Sequence, residues 1–262
     1  MRPIITLTTD FGISTPYVAQ MKGEILSRNR EALIVDITHG IAPQNILQGA
    51  IVLDDVTPRF PAGTIHLAVI DPGVGTSRRL LYAKVGAQRY LSPDNGLLTL
   101  LAQRCSPTEI VELREPRYWN GHVSNTFHGR DILSPVAGHL SLGVQPEQLG
   151  PPAESMFLLT VPQPQVAGDH ILGQVLLSDS FGNLITNIQH EQLQELGSPD
   201  LLVVGCQEWT VCGVNRTYGD RQPGEMLAIV DSHGRLEIAV AHGSAANLIG
   251  AAPGTSVVVR RQ

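Results

Sequence analysis

Four short aliphatic runs, each bounded by Gly, Pro or Asp, constrain the first half of this chain more than any other feature. They are Ile4 to Thr8, Leu33 to Ile37, Thr64 to Ile70 and Leu81 to Val85. Their shortness and their content of Ile, Val and Leu mark them as strands. Between the first two lies Tyr17-Val-Ala-Gln-Met-Lys-Gly-Glu-Ile-Leu, whose apolar residues recur at helical spacing. Asn45-Ile-Leu-Gln-Gly-Ala-Ile-Val-Leu-Asp reads as a second helix. Strands alternating with helices build a mostly parallel sheet covered by helices, so the first half is read as α/β.

The texture changes near Gly150. The stretch from Gly150 to Gly168 holds Pro151, Pro152, Pro162 and Pro164 and reads as a connection between domains. Beyond it come short β-rich pieces: Ile171 to Leu177, Leu201 to Val204, Glu208 to Val211, Met226 to Val230, Leu236 to Val240 and Thr255 to Val259. Only Glu191 to Leu196 suggests a brief helix. The expected organisation is an α/β domain over 1–150, a linker over 151–168, and a smaller antiparallel β domain over 169–262.

Composition narrows the function. Of 262 residues, 18 are Lys or Arg and 24 are Asp or Glu, a net charge of −6 with no basic stripe for nucleic acid. No apolar run nears the ~20 residues of a membrane span, and the start lacks a signal-peptide core. Cys105, Cys206 and Cys212 are too few and too scattered for a disulfide framework or a four-thiolate zinc site, so a cytoplasmic protein is expected. No two histidines share His-x-x-x-His spacing, and no metal is expected.

The polar residues cluster at strand ends. Asp10, Asp36 and Asp71 each fall at or just past a strand, on the rim where open α/β sheets bind ligands. Each could equally cap a turn. Asp71-Pro-Gly-Val-Gly-Thr-Ser-Arg78 combines two glycines, which permit close backbone approach, with an Arg able to fold back onto the opening carboxylate. The third Gly of a dinucleotide fingerprint is missing and no Walker A sequence occurs, so no cofactor is expected. His128, in Asn125-Thr-Phe-His-Gly-Arg-Asp131, is a candidate base, ligand or packing residue. In the β domain, Asp179-Ser-Phe-Gly-Asn183 and Asp231-Ser-His-Gly234 both read by spacing as hairpin turns. The first also suits recognition, with the Asn183 amide for a base edge, the Phe181 ring for stacking and the Asp179 carboxylate for an amine.

Taken in order, Thr8-Thr-Asp-Phe-Gly12, Asp36-Ile-Thr-His-Gly40, Asp71 to Arg78, Ser92-Pro-Asp-Asn-Gly96, Phe127-His-Gly-Arg-Asp131 and Asp179 to Asn183 with Thr186-Asn-Ile188 resemble one family. It is the S-adenosylmethionine hydroxide adenosyltransferase family, relatives of the fluorinase and chlorinase, and the resemblance spans essentially the whole chain. It implies hydrolysis of S-adenosylmethionine to adenosine and methionine, and a homotrimer with active sites between neighbouring subunits. The hydrolytic branch carries an Asp, an Arg and a His that match Asp71, Arg78 and His128. The halogenating branch has Tyr at Asp71, and the fluorinase has Thr at Val74. Asp10 matches a ribose-binding acid, Asn183 an adenine-reading amide and Asp179 an acid facing the methionine ammonium. Ser232 matches a methionine-carboxylate contact, with His233 where the fluorinase has Arg. Glu237 and Val240 lie in the matching C-terminal stretch of substrate contacts. The fluorinase tryptophans fall at about Gln44 and at Ile185, so the apolar walls must be built from other residues.

The chemistry of such a reaction is narrow. A sulfonium leaves as a neutral thioether and needs no acid, so the water nucleophile is what limits the rate. A guanidinium keeps its proton. Arg78 is therefore read as stabilising hydroxide character and holding Asp71, and His128 as the favoured proton acceptor, since a carboxylate paired with Arg is a poorer base. The rival readings are a halogenase of the same superfamily and a metal-dependent hydrolase using Asp10, Asp36 and Asp71.

Overall fold

The computed structural model describes residues 2–262, in two compact units that meet at Thr160 and Val161. In the N-terminal unit the strands β1 (Ile4–Thr9), β2 (Leu33–Thr38), β3 (Ile65–Val69), β4 (Leu80–Val85), β5 (Gln88–Pro93) and β6 (Glu109–Glu112) form one sheet in the order β2-β1-β3-β5-β4-β6. The pairs β1–β2, β1–β3 and β3–β5 are parallel, and β4 runs antiparallel to both its neighbours. β1 and β3 are both interior strands. Ile5, Leu7, Ile65 and Leu67 are fully buried there, and so are the polar Thr6, Thr8 and Thr9 of β1 and His66 of β3.

Helices α1 (Tyr17–Arg28), α2 (Ile46–Val56), α3 (Thr99–Arg104) and α4 (Ser134–Ser141) accompany this sheet. α1 turns Met21 and Ile25 inward. α2 begins at Asn45, whose side chain accepts the Gln48 N–H at 2.9 Å, an N-cap the sequence reading had included in the helix.

In this unit four elements, β5, β6, α3 and α4, were not foreseen. β5 is polar at its start and follows Gly86-Ala87, a two-residue turn that pairs Val85 with Gln88. β6 is only four residues long. α3 is one and a half turns and gives too little periodicity to read. α4 carries Pro135 and Gly138, poor helix formers, yet packs against α1: a Cβ at Gly138 would stand 2.8 Å from Cβ of Arg28.

The segment read as a linker is partly ordered against the first unit. Glu112 N–H donates to Pro151 O and Ala153 N–H to Ile110 O, each at 2.9 Å, and Leu159 N–H donates to Thr99 Oγ1 at 2.8 Å.

The C-terminal unit is one antiparallel sheet of β7 (Gln165–Ala167), β8 (His170–Ser178), β9 (Leu184–Gln189), β10 (Leu202–Cys206), β11 (Trp209–Cys212), β12 (Met226–Val230), β13 (Arg235–Val240) and β14 (Ser256–Arg261). Its order is β11-β10-β14-β8-β9-β13-β12, with β7 on β8. Two short helices, α5 (His190–Leu196) and α6 (Ala245–Ile249), accompany it. Ile171, Val175, Leu184, Ile188, Leu236 and Val257 fill the interior. Both hairpin signals are turns: Asp179–Asn183 joins β8 to β9, and Asp231–Gly234 joins β12 to β13. β9 was missed because Thr186 and Asn187 interrupt its aliphatic pattern, although both are buried. Among the described residues no helix is long and apolar enough to cross a membrane.

Candidate active site

At the carboxyl ends of β1 and β3 the chain turns outward through Asp10 and Asp71, which line one cavity of about 420 Å³ with His128. The loop from Asp71 to Arg78 folds back on itself. Nε of Arg78 donates to Asp71 Oδ1 at 2.7 Å and Oδ2 at 2.9 Å, and Nη2 also reaches Oδ2. The side chains of this pair are only 11% and 5% exposed. Gly75 makes the fold-back possible: its φ is +79°, and a Cβ there would lie 2.3 Å from the carbonyl oxygen of Asn125. The loop thereby rests on the segment that carries His128.

His128 stands at the head of a π-helical turn, Gly129–Leu133, which leads into α4. Such turns are uncommon and recur at functional sites. Asp131, buried in that turn, accepts Nε of Arg130 at 2.6 Å and the Ser124 N–H at 2.8 Å, which fixes the loop preceding His128. Arg78 Nη2 lies 3.0 Å from His128 Nδ1. A guanidinium only donates, so Nδ1 must be the acceptor and the neutral ring carries its proton on Nε2. Burial, helped by the Arg78 charge and opposed by Asp71 and Asp131, pushes the His128 pKa below its ordinary value. The ring is therefore neutral at pH 7. Asp71 and His128 form cavity wall, and Arg78 stands behind both.

The apolar walls come from aromatics that the sequence reading did not single out. Phe11, Tyr17 and Phe127 meet edge to face, with ring centroids 5.3 to 5.7 Å apart, and all three line the cavity. Gln44 lines it too, held in a left-handed conformation (φ 65°) in which its N–H donates to Asp10 Oδ2 at 2.8 Å. Phe11 and Phe127 stand in the quoted motifs next to Asp10 and His128, the one local signal that marked them.

The three strand-end carboxylates do not converge. Asp71 is held by Arg78 and Asp10 by the Gln44 N–H, while Asp36 pairs with Lys22 at 2.6 Å and with His39 at 3.2 Å. Burial pushes the Asp36 carboxyl up, but Lys22 and His39 outweigh it and the net shift is downward. Among the described residues no group of three or more His, Cys, Asp or Glu is placed to hold a metal ion.

The C-terminal unit has its own cavity, of about 570 Å³, lined by Asp179, Phe181, Asn183, Tyr218, Val240, His242 and Gly243. Asp179 organises its lip. Oδ1 accepts the N–H groups of Phe181 and Asn183, and Oδ2 accepts the Asn183 amide, all at 2.9 Å. Gly182 (φ +84°) is held to glycine by Ser244, whose Oγ lies 2.0 Å from where a Cβ would stand. Phe181 is 77% exposed and Asn183 only 7%. Ser232 and Glu237 are not in this lining. Ser232 sits in the β12–β13 turn, and Glu237 is buried, accepting the Tyr218 hydroxyl at 2.8 Å. Tyr218 and His242 were missed: one is a lone aromatic in a loop, the other a positive-φ residue with no local motif.

The chain matches the models of the SAM hydroxide adenosyltransferase N-terminal domain over residues 5–150 and C-terminal domain over residues 173–258. It belongs to the SAM hydroxide adenosyltransferase family. Two relatives, from Salinispora tropica and Thermus thermophilus, each bear the name (R)-S-adenosyl-L-methionine hydrolase. They are 38% and 37% identical to this chain, covering 96% and 98% of it and 95% and 99% of their own lengths. A fluorinase from Actinopolyspora mzabensis is more distant, at 27% identity over 99% of this chain and 98% of its own. The crystal structure of an uncharacterized conserved protein from Thermotoga maritima superposes with a TM-score of 0.93 at 35% identity, covering 98% of this chain and all of that one. The two matched SAM hydroxide adenosyltransferase domains fall on the two compact units, and each unit carries one of the cavities described above.

Proposed function

We propose that the protein hydrolyses S-adenosyl-L-methionine to adenosine and L-methionine. The observation that carries this reading is the single guanidinium of Arg78 joined to both Asp71 and His128 at the cavity wall. That arrangement offers a water molecule a fixed anionic acceptor and a neutral donor, without an acid for the leaving group. Relatives named (R)-S-adenosyl-L-methionine hydrolase, alike over nearly their full length, support the same chemistry.

The water oxygen attacks C5′ in line with the C–S bond, whose electron pair leaves on sulfur as the methionine thioether. The oxonium so formed sheds one proton. With Nδ1 occupied by Arg78 and the proton on Nε2, neutral His128 has no lone pair to offer, so the proton goes to Asp71. Asp71 Oδ1, which accepts only Nε of Arg78, keeps a lone pair for that proton. A protonated alcohol is a far stronger acid than any carboxylic acid, so even a paired carboxylate suffices. This reverses the preference for His128 drawn from the sequence. His128 instead holds Arg78 from its second side and orients the water through Nε2–H. General-base help of this kind gives about 10²–10⁴-fold, and fixed geometry adds to it.

Asp10 keeps Oδ1 for the ribose hydroxyls while the Gln44 N–H holds Oδ2. The Phe11, Tyr17 and Phe127 rings supply the apolar surface. In the other unit Asn183 spends its amide N–H on Asp179 and retains Oδ1 to accept from the adenine amino group. Asp179 faces the methionine ammonium, and Phe181 and Val240 flank the base. Ser232 is assigned to the methionine carboxylate. Glu237 contributes through Tyr218 rather than by touching substrate. Because the proposed groups are divided between two units, we place the site in a homotrimer, one subunit's N-terminal unit working with a neighbour's C-terminal unit. Three free thiols, Cys105, Cys206 and Cys212, suit the cytoplasm.

The test is to incubate the pure protein with S-adenosylmethionine in H₂¹⁸O, with and without EDTA. Adenosine carrying the heavy oxygen in both arms is the expected product. Recovery of intact substrate would reduce the protein to an adenosine-binding module, and loss of turnover with EDTA would favour a metal-dependent hydrolase.

A further inference from the structure

Behind Asp10 runs a chain of four side chains that the mechanism leaves unused. Thr9, the last residue of β1, is fully buried. Its Oγ1 accepts the Phe11 N–H at 3.3 Å and lies 2.9 Å from Nδ1 of His39. Nε2 of His39 stands 3.2 Å from Asp36 Oδ1, off the line of a straight hydrogen bond, and it has no other partner among the described residues. Asp36 Oδ2 accepts Nζ of Lys22 on α1 at 2.6 Å. The His39 carbonyl accepts the Gly12 N–H at 2.8 Å.

The donors and acceptors run in one direction. Thr9 Oγ1 takes the Phe11 N–H, so its own proton is available for Nδ1. His39 then carries its proton on Nε2, facing the Asp36 carboxylate that Lys22 anchors. Two of the bonds, from Phe11 N–H and from Gly12 N–H, grip the backbone on the far side of Asp10. Asp10 is thus fixed at both ends: its side chain by the Gln44 N–H, and its turn by Thr9 and His39. The order hydroxyl, imidazole, carboxylate is that of a nucleophilic triad, but a hydroxyl with no exposure reaches no substrate. The chain must act through its neighbours.

We infer that Thr9, His39 and Asp36 are positioning residues that set the Asp10 carboxylate against the two hydroxyls of the substrate's ribose, and so govern recognition of ribose over deoxyribose. This rests on the assignment of Asp10 made above. A carboxylate bridging two hydroxyls tolerates little displacement, and one lost neutral hydrogen bond in its support is worth about three- to ten-fold in affinity.

The experiment compares KM and kcat for S-adenosylmethionine and for its 2′-deoxyribose analogue. Wild type should prefer the ribose substrate, and Asp10→Ala should erase that preference. If wild type shows none, the Asp10 assignment fails and the inference with it. Thr9→Val should reduce the preference by about three- to ten-fold, through KM for the ribose substrate, with a smaller change in kcat and little change in KM for the deoxy analogue. Thr9→Ser, which restores the hydroxyl, should restore it. Asp36→Ala, at the exposed end of the chain where folding is least at risk, should act in the same direction. A merely structural role would shift KM for both substrates alike. Should Asp10→Ala erase the preference while Thr9→Val and Asp36→Ala both keep the wild-type ratio, the inference is overturned.

Discussion

Nη2 of Arg78 lies 3.0 Å from Nδ1 of His128, on the guanidinium whose Nε donates to Asp71 Oδ1 at 2.7 Å. One always-protonated group thus decides the tautomer of the histidine and the orientation of the carboxylate together. Losing Arg78 would free both.

The division of labour between Asp71 and His128 is testable by parallel substitution. Asp71→Asn should lower kcat by about 10²–10⁴-fold, with binding changed less than about tenfold, because it removes the proton acceptor. His128→Asn keeps an acceptor for Arg78 in its side-chain oxygen and should cost less, about tenfold. Single-turnover rates measured side by side decide it: a larger loss at His128 would return the base to the histidine.

The pH profile has a definite sign. His128 is held below its ordinary pKa of ~6.5, so its neutral form persists into mildly acidic solution. Protonation would set an N–H against the Arg78 donor and break their contact. The rate should fall as pH drops through a value below ~6.5 and be flat above it. A profile of kcat against pH for wild type and His128→Asn checks this, and an acidic limb that survives unchanged in the variant would assign the ionisation elsewhere.

Gly75→Ala should be damaging although Gly75 has no side chain. A Cβ 2.3 Å from the Asn125 carbonyl, at φ +79°, must push the Asp71 loop off the His128 segment. Displacement of reacting groups by an ångström costs on the order of 10²-fold, so kcat should fall by about that much. The same assay with Gly86→Ala, at a positive-φ turn with no neighbour within 4 Å of a Cβ, separates the clash from the strain. Equal losses would show strain alone at work.

Stability should carry a separate pH signature. His66 on β3 has no exposure, bonds Thr6 Oγ1 through Nδ1 at 2.8 Å and stacks on Tyr90. Burial lowers its pKa to about 4. The unfolded chain takes up a proton near pH ~6.5 and the folded one does not, so stability is full above ~6.5 and declines as pH falls towards 4. The loss approaches roughly 3 kcal/mol. Urea titrations between pH 7 and pH 4 should show this slope in wild type and a shallower one in His66→Leu.

The proposed trimer predicts complementation. Asp71→Asn and Asn183→Ala proteins, inactive or weak alone, should recover activity after subunit exchange, because some interfaces regain two intact halves. A monomer by light scattering with full activity would refute the shared site.

How much of this was legible in the sequence follows from how local each feature is. β1 and β3 read as strands because each is short, rich in Ile, Leu or Val and bounded by turn residues, even though buried Thr6, Thr8 and His66 interrupt the aliphatic pattern. Asp10 and Asp71 were readable because the rim of such a sheet is where chain direction and ligand site coincide. The Asp71–Arg78 pair was foreseen because its partners lie seven residues apart across two glycines. The hydrogen bond from Arg78 to His128 Nδ1, fifty residues away, cannot be read from spacing, and the proposed division of labour rests on it, because it occupies the lone pair of the neutral ring. Local periodicity is a property of a segment, so α1 and the hairpins of the second unit could be read from one. Hydrogen-bond partnership across a sheet rim depends on where distant segments come together. Only the tertiary structure therefore set the His128 tautomer, joined Thr9 to His39 and Asp36, and gathered Phe11, Tyr17 and Phe127 into one wall.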